Sequence, residues 1–281
     1  MNMPSARQDK SMRSRLLTPC WILTTLLVIA AVAVMIRLGF WQLERLAWRQ
    51  DLNRRITAQL NAPPLDLNGE IPVSQLTDME YRMVQVSGVY DFEHEFLWRN
   101  QVWDNQAGYH LFTPLRIDGS DWVVYVDRGW IPLDQADAES RLQYRQSGVV
   151  SLTGMLRRPI PKPAIGGVAD PPAGTVQPRP EAWNWVDLNR WQNETGLNLL
   201  PVWVQQAPQG AALRLPYPSL PDIEITEGPH FGYALQWFTF AAILAMGYPF
   251  FVRKQLENKA ESGEKKGNSE AIEFGEEIYE H

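Results

Sequence analysis

His230 stands at the entrance of the apolar run in "EGPHFGYALQWFTFAAILAMGYPFFVRK", residues 227–254. An ionisable side chain at a membrane boundary is costly unless it snorkels, pairs or binds something. On a helix, Tyr233, Ala234 and Trp237 fall on its face, and Ala241, Leu244 and Tyr248 continue the stripe at steps of three and four. The small residues at 234 and 241 leave room for a second helix or for a flat macrocycle. Histidine is the usual axial ligand of haem iron, so His230 is a candidate ligand. A plain hydrogen bond to a neighbouring side chain is the competing reading.

Other chemistry is sparse. The chain carries no nucleophile elbow, phosphate loop, HExxH or paired metal-binding cysteines, so nothing in it reads as an enzyme. His94 in "DFEHEF" and His110 in "GYHLFTPL" read as solvated or hydrogen-bonded side chains. Asp127 and Arg128 in "VDRGW" are neighbours in a strand, hence on opposite faces, and cannot pair with each other. The single cysteine, Cys20, lies inside an apolar run, which excludes disulfides and copper delivery by cysteine pairs within one chain. A net charge of -6 without a compact basic stripe argues against nucleic acid.

The elements that must position these residues follow from hydropathy. The mean hydropathy of -0.29 averages two membrane-length runs with a polar middle. Residues 16–36 include no charge, and between 229 and 252 only His230, Tyr233 and Tyr248 can ionise. Crossing a bilayer takes about 20 helical residues, so each run qualifies. The predicted organisation is a cytoplasmic segment 1–15, a first transmembrane helix 16–41, an extracytoplasmic domain 42–228, a second transmembrane helix 229–252 and a cytoplasmic tail 253–281. The tail lacks a sustained apolar face and is expected to be unfolded. Arg7, Lys10, Arg13 and Arg15 precede the first run, and Arg253 and Lys254 follow the second, which places both termini in the cytoplasm. Arg37, Arg45, Arg49, Arg54 and Arg55 pull the other way. "AVA" at 31–33 resembles a signal-peptide cleavage site, but the apolar run continues to Ile36, which favours an uncleaved anchor.

After the first run, Trp41, Arg45, Trp48 and Leu52 share one face of a continuing helix that Pro63 and Pro64 end. Trp41 and Trp48 suit the aromatic belt of a membrane interface. From Tyr81 the period changes to two, and "YRMVQVSGVYD", "EFLWRNQ", "YHLFTPLRIDG", "DWVVYVDRGWIPL" and "VVSLTGMLRRP" read as strands. Asp118-Gly119-Ser120-Asp121 is a hairpin turn. Val84, Val86, Leu111, Phe112, Val124, Val126 and Leu152 form the expected core. Residues 159–180 are a Pro- and Gly-rich loop, "AWNWVDLNRWQNETGL" a short strand and helix, and "LLPVWVQQAP" a last strand. The fold class is therefore a membrane protein with two transmembrane α-helices flanking a mainly antiparallel β (α+β) extracytoplasmic domain.

Taken in order, "GFWQLERLAWRQ", "YRMVQVSGVYD", "GYHLFTPL", "VYVDRGWIP" and "GPHFGYALQWF" resemble the motifs of the Surfeit locus protein 1 family of cytochrome c oxidase assembly factors. The resemblance covers nearly everything but the two tails. Gly228 and Pro229 stand where the family often has Asn before the second-helix histidine, and Arg49 replaces a frequent Lys. The resemblance implies a non-enzymatic factor of the bacterial inner membrane that helps place haem a into oxidase subunit I. The haem a synthesis enzyme, subunit I and the lipid bilayer are the implied partners. His230 is the implied ligand of haem a iron, with Tyr233 and Trp237 packing the macrocycle and Trp41 and Arg45 closing the other side. Arg45 or Arg49 would pair with propionates, since a guanidinium matches a carboxylate in bidentate fashion; a lipid phosphate is the alternative partner. A haem-free scaffold that binds a partially assembled oxidase subunit is the rival function.

Overall fold

The computed structural model describes residues 19–170, 181–210 and 214–277, with backbone alone from 259 to 277. The expected N-terminal segment 1–15 and part of the Pro-rich loop, 171–180, lie outside the described residues. Two compact units emerge: Met1–Leu52 with Thr226–His281, and Asn53–Ile225.

The first unit contains an antiparallel helix pair. Helix α1, Pro19–Leu60, runs unbroken past the predicted end of the first span, because "WQLERLAWRQDLNRRITAQL" is made of good helix formers and the first proline comes only at Pro63. Helix α3, His230–Glu277, begins where Pro229 offers its carbonyl to the Tyr233 N–H at 3.1 Å. Both helices include a stretch long and apolar enough to cross a membrane. The helix passes through Pro249 and continues to Glu277, where an unfolded tail from 253 was expected. Glu and Lys are the commonest residues of that segment, and Arg253 pairs with Glu257 one turn on at 2.9 Å, so the helix continues there without an apolar face.

The two helices meet along a stripe spaced by three and four residues. On α1 it runs through Thr25, Val28, Val32, Met35, Gly39 and Gln42; on α3 through His230, Ala234, Trp237, Ala241, Leu244 and Tyr248. Ala234 and Ala241 are buried, as close helix approach requires. Polar contacts fix the register: the Thr25 and Tyr248 hydroxyls lie 2.7 Å apart, and Gln42 meets His230 at 2.9 Å.

The second unit is a small β-barrel. Its strands are β1 (Leu65–Asp66), β2 (Met83–Tyr90), β3 (Phe96–Trp103), β4 (Gln106–Ile117), β5 (Val123–Pro132), β6 (Val149–Arg157), β7 (Ala182–Trp183) and β8 (Leu199–Gln206), with helix α2 (Leu188–Thr195) before the last. The order β2–β6–β8–β5–β4 closes on itself, since β4 also pairs with β2 through Gly88↔Ile117 and Tyr90↔Leu115. Strand β4 is long enough to serve two partners, β3 along its first half and β2 at its end. Gly88 sits at that closure; a Cβ there would come 2.1 Å from the Arg116 carbonyl oxygen. The sequence predicts an antiparallel sheet. Most pairs obey, but β8 lies parallel to β5, which a hairpin cannot produce and the chain through β6 and α2 can.

Alternation sorts the side chains onto two faces. Val84, Val86, Val124, Val126, Leu152, Leu156, Val202 and Val204 belong to one buried cluster, and the intervening Val123, Tyr125 and Trp203 to another. All seven expected core residues are buried. The second cluster is aromatic: Trp191 of α2 packs on Phe96 and Tyr125 with ring centroids 4.0 and 5.0 Å apart. Asp187 caps α2 by accepting from the Arg190 N–H, and Gly196 ends it in the left-handed conformation. Each such buried aromatic or aliphatic side chain contributes about 1.5–3 kcal/mol, so these two clusters dominate the unit's stability.

Candidate functional site

His230 is the first residue of α3 and is half-buried. Its Nδ1 lies 2.9 Å from Oε1 of Gln42 on α1. The other ring edge faces Gly228, whose φ of 70° is a glycine conformation; a Cβ built there would lie 3.5 Å from both Cδ2 and Nε2. One nitrogen is therefore engaged, and the edge carrying the other lies beside Gly228, which brings no side chain to it. Among the described residues no group of three or more His, Cys, Asp or Glu is placed to hold a metal ion. A single imidazole can supply one ligand to a metal-containing group.

The other sequence-predicted site residues are spread around this histidine to different degrees. Trp237 is half-buried in the seam, with its ring edge-on to Phe240 at 6.4 Å, while Tyr233 is 47% exposed. Trp41 is exposed on α1, and the Arg45 guanidinium lies over the Trp48 ring at 3.9 Å, which keeps it beside an interfacial aromatic. Sequence reading missed Gln42, Gly39 and Phe238. Gly39 and Gln42 lie one turn apart on α1, and Phe238 packs edge-on to Phe40 at 5.4 Å. The signal that points to Gly39 and Gln42 is the three-and-four spacing of 32, 35, 39 and 42 on α1.

The barrel holds a separate polar cluster around "DRGW". Between His110↔Trp130 and Phe112↔Asp127 the β4–β5 register shifts by one residue, so Arg128 and Gly129 form a β-bulge. Asp127 closes it: Oδ1 accepts from the Gly129 N–H at 3.0 Å, and Oδ2 lies 2.8 Å from His110 Nδ1. On the opposite face the buried Arg128 donates to the Tyr144 carbonyl, reaches Glu95 at 3.5 Å and covers the Tyr90 ring at 4.9 Å. Asp127 and Arg128 thus find separate partners, as alternation requires. Glu95 accepts from Thr113 at 2.7 Å and also faces Arg141 at 3.7 Å; burial nevertheless pushes its carboxyl above the usual range, the arginines only partly offsetting it. Burial likewise drives the Tyr90 phenol up to about 12 against the pull of Arg128. His94 bonds Asp91 at 2.9 Å, the hydrogen-bonded role expected of it.

His110 gives a pH prediction. Burial alone would lower its pKa, but the charge and hydrogen bond of Asp127 outweigh that and raise it. A raised folded pKa stabilises the barrel fully below the unfolded histidine value of about 6.5, and that stability is lost as pH climbs through the folded value. The melting temperature of the full chain in detergent is expected to fall as pH rises above about 6.5, with a shallower slope in His110→Gln. Equal slopes would show that the pair is not the source.

A family model described as the SURF1 family matches residues 29–242, three quarters of the chain, including the barrel unit, Gln42 and His230. The chain belongs to the SURF1 family. Among its SURF1-family relatives, a "SURF1-like protein" of Caenorhabditis briggsae is 25% identical over 255 residues, 83% of this chain and 77% of that protein. "Surfeit locus protein 1" of Homo sapiens is 23% identical over 229 residues, 76% of this chain and 72% of its own length. The "Cytochrome oxidase assembly protein SHY1" of Saccharomyces cerevisiae is 30% identical over 115 residues, 41% of this chain and 30% of that protein.

Proposed function

We propose that this SURF1-family chain is a non-enzymatic assembly factor for cytochrome c oxidase that carries haem a through His230 toward subunit I. The observation that carries this reading is the half-buried His230 at the start of α3, one ring nitrogen held by Gln42 and the other on the edge beside Gly228. The assembly role is supported by family membership and by the printed name of the yeast relative. The cargo is haem a, its iron bound by one imidazole and its faces covered by Trp237 and Tyr233; Trp41 and Arg45 flank the path of the macrocycle. A carrier that must release its cargo needs moderate affinity, and a single protein ligand provides it. In this reading the carrier resides in the bacterial inner membrane, both termini cytoplasmic, beside the haem a synthesis enzyme; two helices long and apolar enough to cross a membrane support the membrane part of it.

The test is the absorption spectrum of the chain purified in detergent from cells that make haem a, wild type beside His230→Ala. A Soret band in the wild type, lost in the variant, is the expected result. No haem in either protein, from cells shown to contain haem a, would replace this reading with the haem-free scaffold.

A further inference from the structure

We infer that Gln42 is the positioning residue for His230: by accepting a hydrogen bond from Nδ1 it fixes the imidazole tautomer and leaves Nε2 free as the ligand atom. The inference rests on the haem-carrier reading and adds to it the residue that prepares the ligand. Gln42 presents its carbonyl oxygen, 2.9 Å from Nδ1. That oxygen can only accept, so the proton must sit on Nδ1. A neutral imidazole has one N–H, and the lone pair is then on Nε2. The second observation is independent of the first. Gly228, at φ 70°, lies beside the Cδ2 and Nε2 edge, and a Cβ built on it would touch that edge at 3.5 Å, an ordinary van der Waals contact. The nitrogen released by Gln42 is therefore on the edge where residue 228 brings no side chain. The arrangement matches metal-binding histidines generally, which donate their second N–H to a neighbouring acceptor that holds the ring and raises its basicity. Helix α1 thus contributes to the site through an amide that touches no cargo.

The test uses the full chain in detergent and two readouts. The first is ¹⁵N NMR of the His230 side chain without haem, which is expected to show the Nδ1–H tautomer in the wild type and a mixture in Gln42→Leu. The second is titration with haemin followed by absorption. Gln42→Leu is expected to bind about 10–100-fold more weakly, the usual loss when such an acceptor is removed. Gln42→Glu, which also accepts from Nδ1, is expected to keep both the tautomer and the affinity. An Nε2–H tautomer in the wild type would overturn the inference. So would haemin binding that is lost in His230→Ala yet unchanged in Gln42→Leu. Binding that survives His230→Ala is a different failure: it removes the haem-ligand reading itself and the role of Gln42 with it.

Discussion

Gly129→Val is expected to destabilise the barrel unit by about 3 kcal/mol or more, enough to deplete the folded chain in cells. Two costs combine. Gly129 has a φ of 120°, where a β-branched residue is strained, and a Cβ there would sit 2.3 Å from the Tyr217 carbonyl carbon and oxygen. Neither atom can rotate away, because Tyr217 is tied to Trp130 by reciprocal backbone hydrogen bonds of 3.0 and 2.8 Å, and the two rings stack at 6.0 Å. The 215–219 segment would have to leave the barrel, taking with it the Gln205 bond to the Ser219 carbonyl. Gly119→Ala is the control. That glycine also has positive φ, 75°, but a Cβ there meets nothing within 4 Å, so only the backbone cost of about 1–2 kcal/mol applies. Urea unfolding of the full chain in detergent, followed by tryptophan fluorescence, compares them. Equal losses at 119 and 129 would show that the Tyr217 contact contributes nothing.

The second large effect belongs to the helix pair. Gly39→Leu is expected to cost about 1–3 kcal/mol of helix-pair stability, the range for forcing atoms into a filled site. A Cβ alone would lie 2.6 Å from the Phe238 ring, and the seam on either side offers no slack because Ala234 and Ala241 are already buried. The ring would have to swing out or the helices part. If they part, the bond between Gln42 and His230, one turn away, lengthens, so haem a retention should fall with stability. Phe238→Ala in the same chain opens the space and is expected to restore much of both. The cycle of two single variants and the double variant, read by circular dichroism melts in detergent, isolates that coupling. Strictly additive losses would mean that the glycine and the ring do not meet.

These variants mark the boundary of what the sequence discloses. Strands β2 to β6 and β8 were legible because inward and outward residues alternate, and residues such as Val124 and Val126 behave as that pattern demands. Closure into a barrel was not legible, since the pairing of Gly88 with Ile117 leaves no trace in the alternation of either strand. The bulge at Gly129 broke the period locally, which is why His110 and Asp127, read as unrelated residues, turn out to be a bonded pair. At the candidate site His230 announced itself as the one histidine beside an apolar run. Gln42 did not, because an amide within a Trp- and Arg-rich helix has the composition of any membrane interface. Helix α3 beyond Arg253 shows the opposite error: a segment without an apolar face was expected to unfold, while its Glu- and Lys-rich sequence continues as a helix to Glu277.

Strand β8 gives the barrel an order of events. It inserts between β5 and β6, so the ring has a gap until the chain has been made as far as Gln206. During synthesis β2 to β6 must wait as an open sheet, with the facing edges of β5 and β6 unpaired and Val124, Val126, Leu152 and Leu156 lacking their cover from Leu200, Val202 and Val204. Such edges are templates for aggregation. Only the 207–229 segment then separates the closing strand from α3, so the ring can close shortly before that helix is made. A chain that stops before β8 would be not a shorter barrel but an unsealed one, recognisable to proteases by its missing stave.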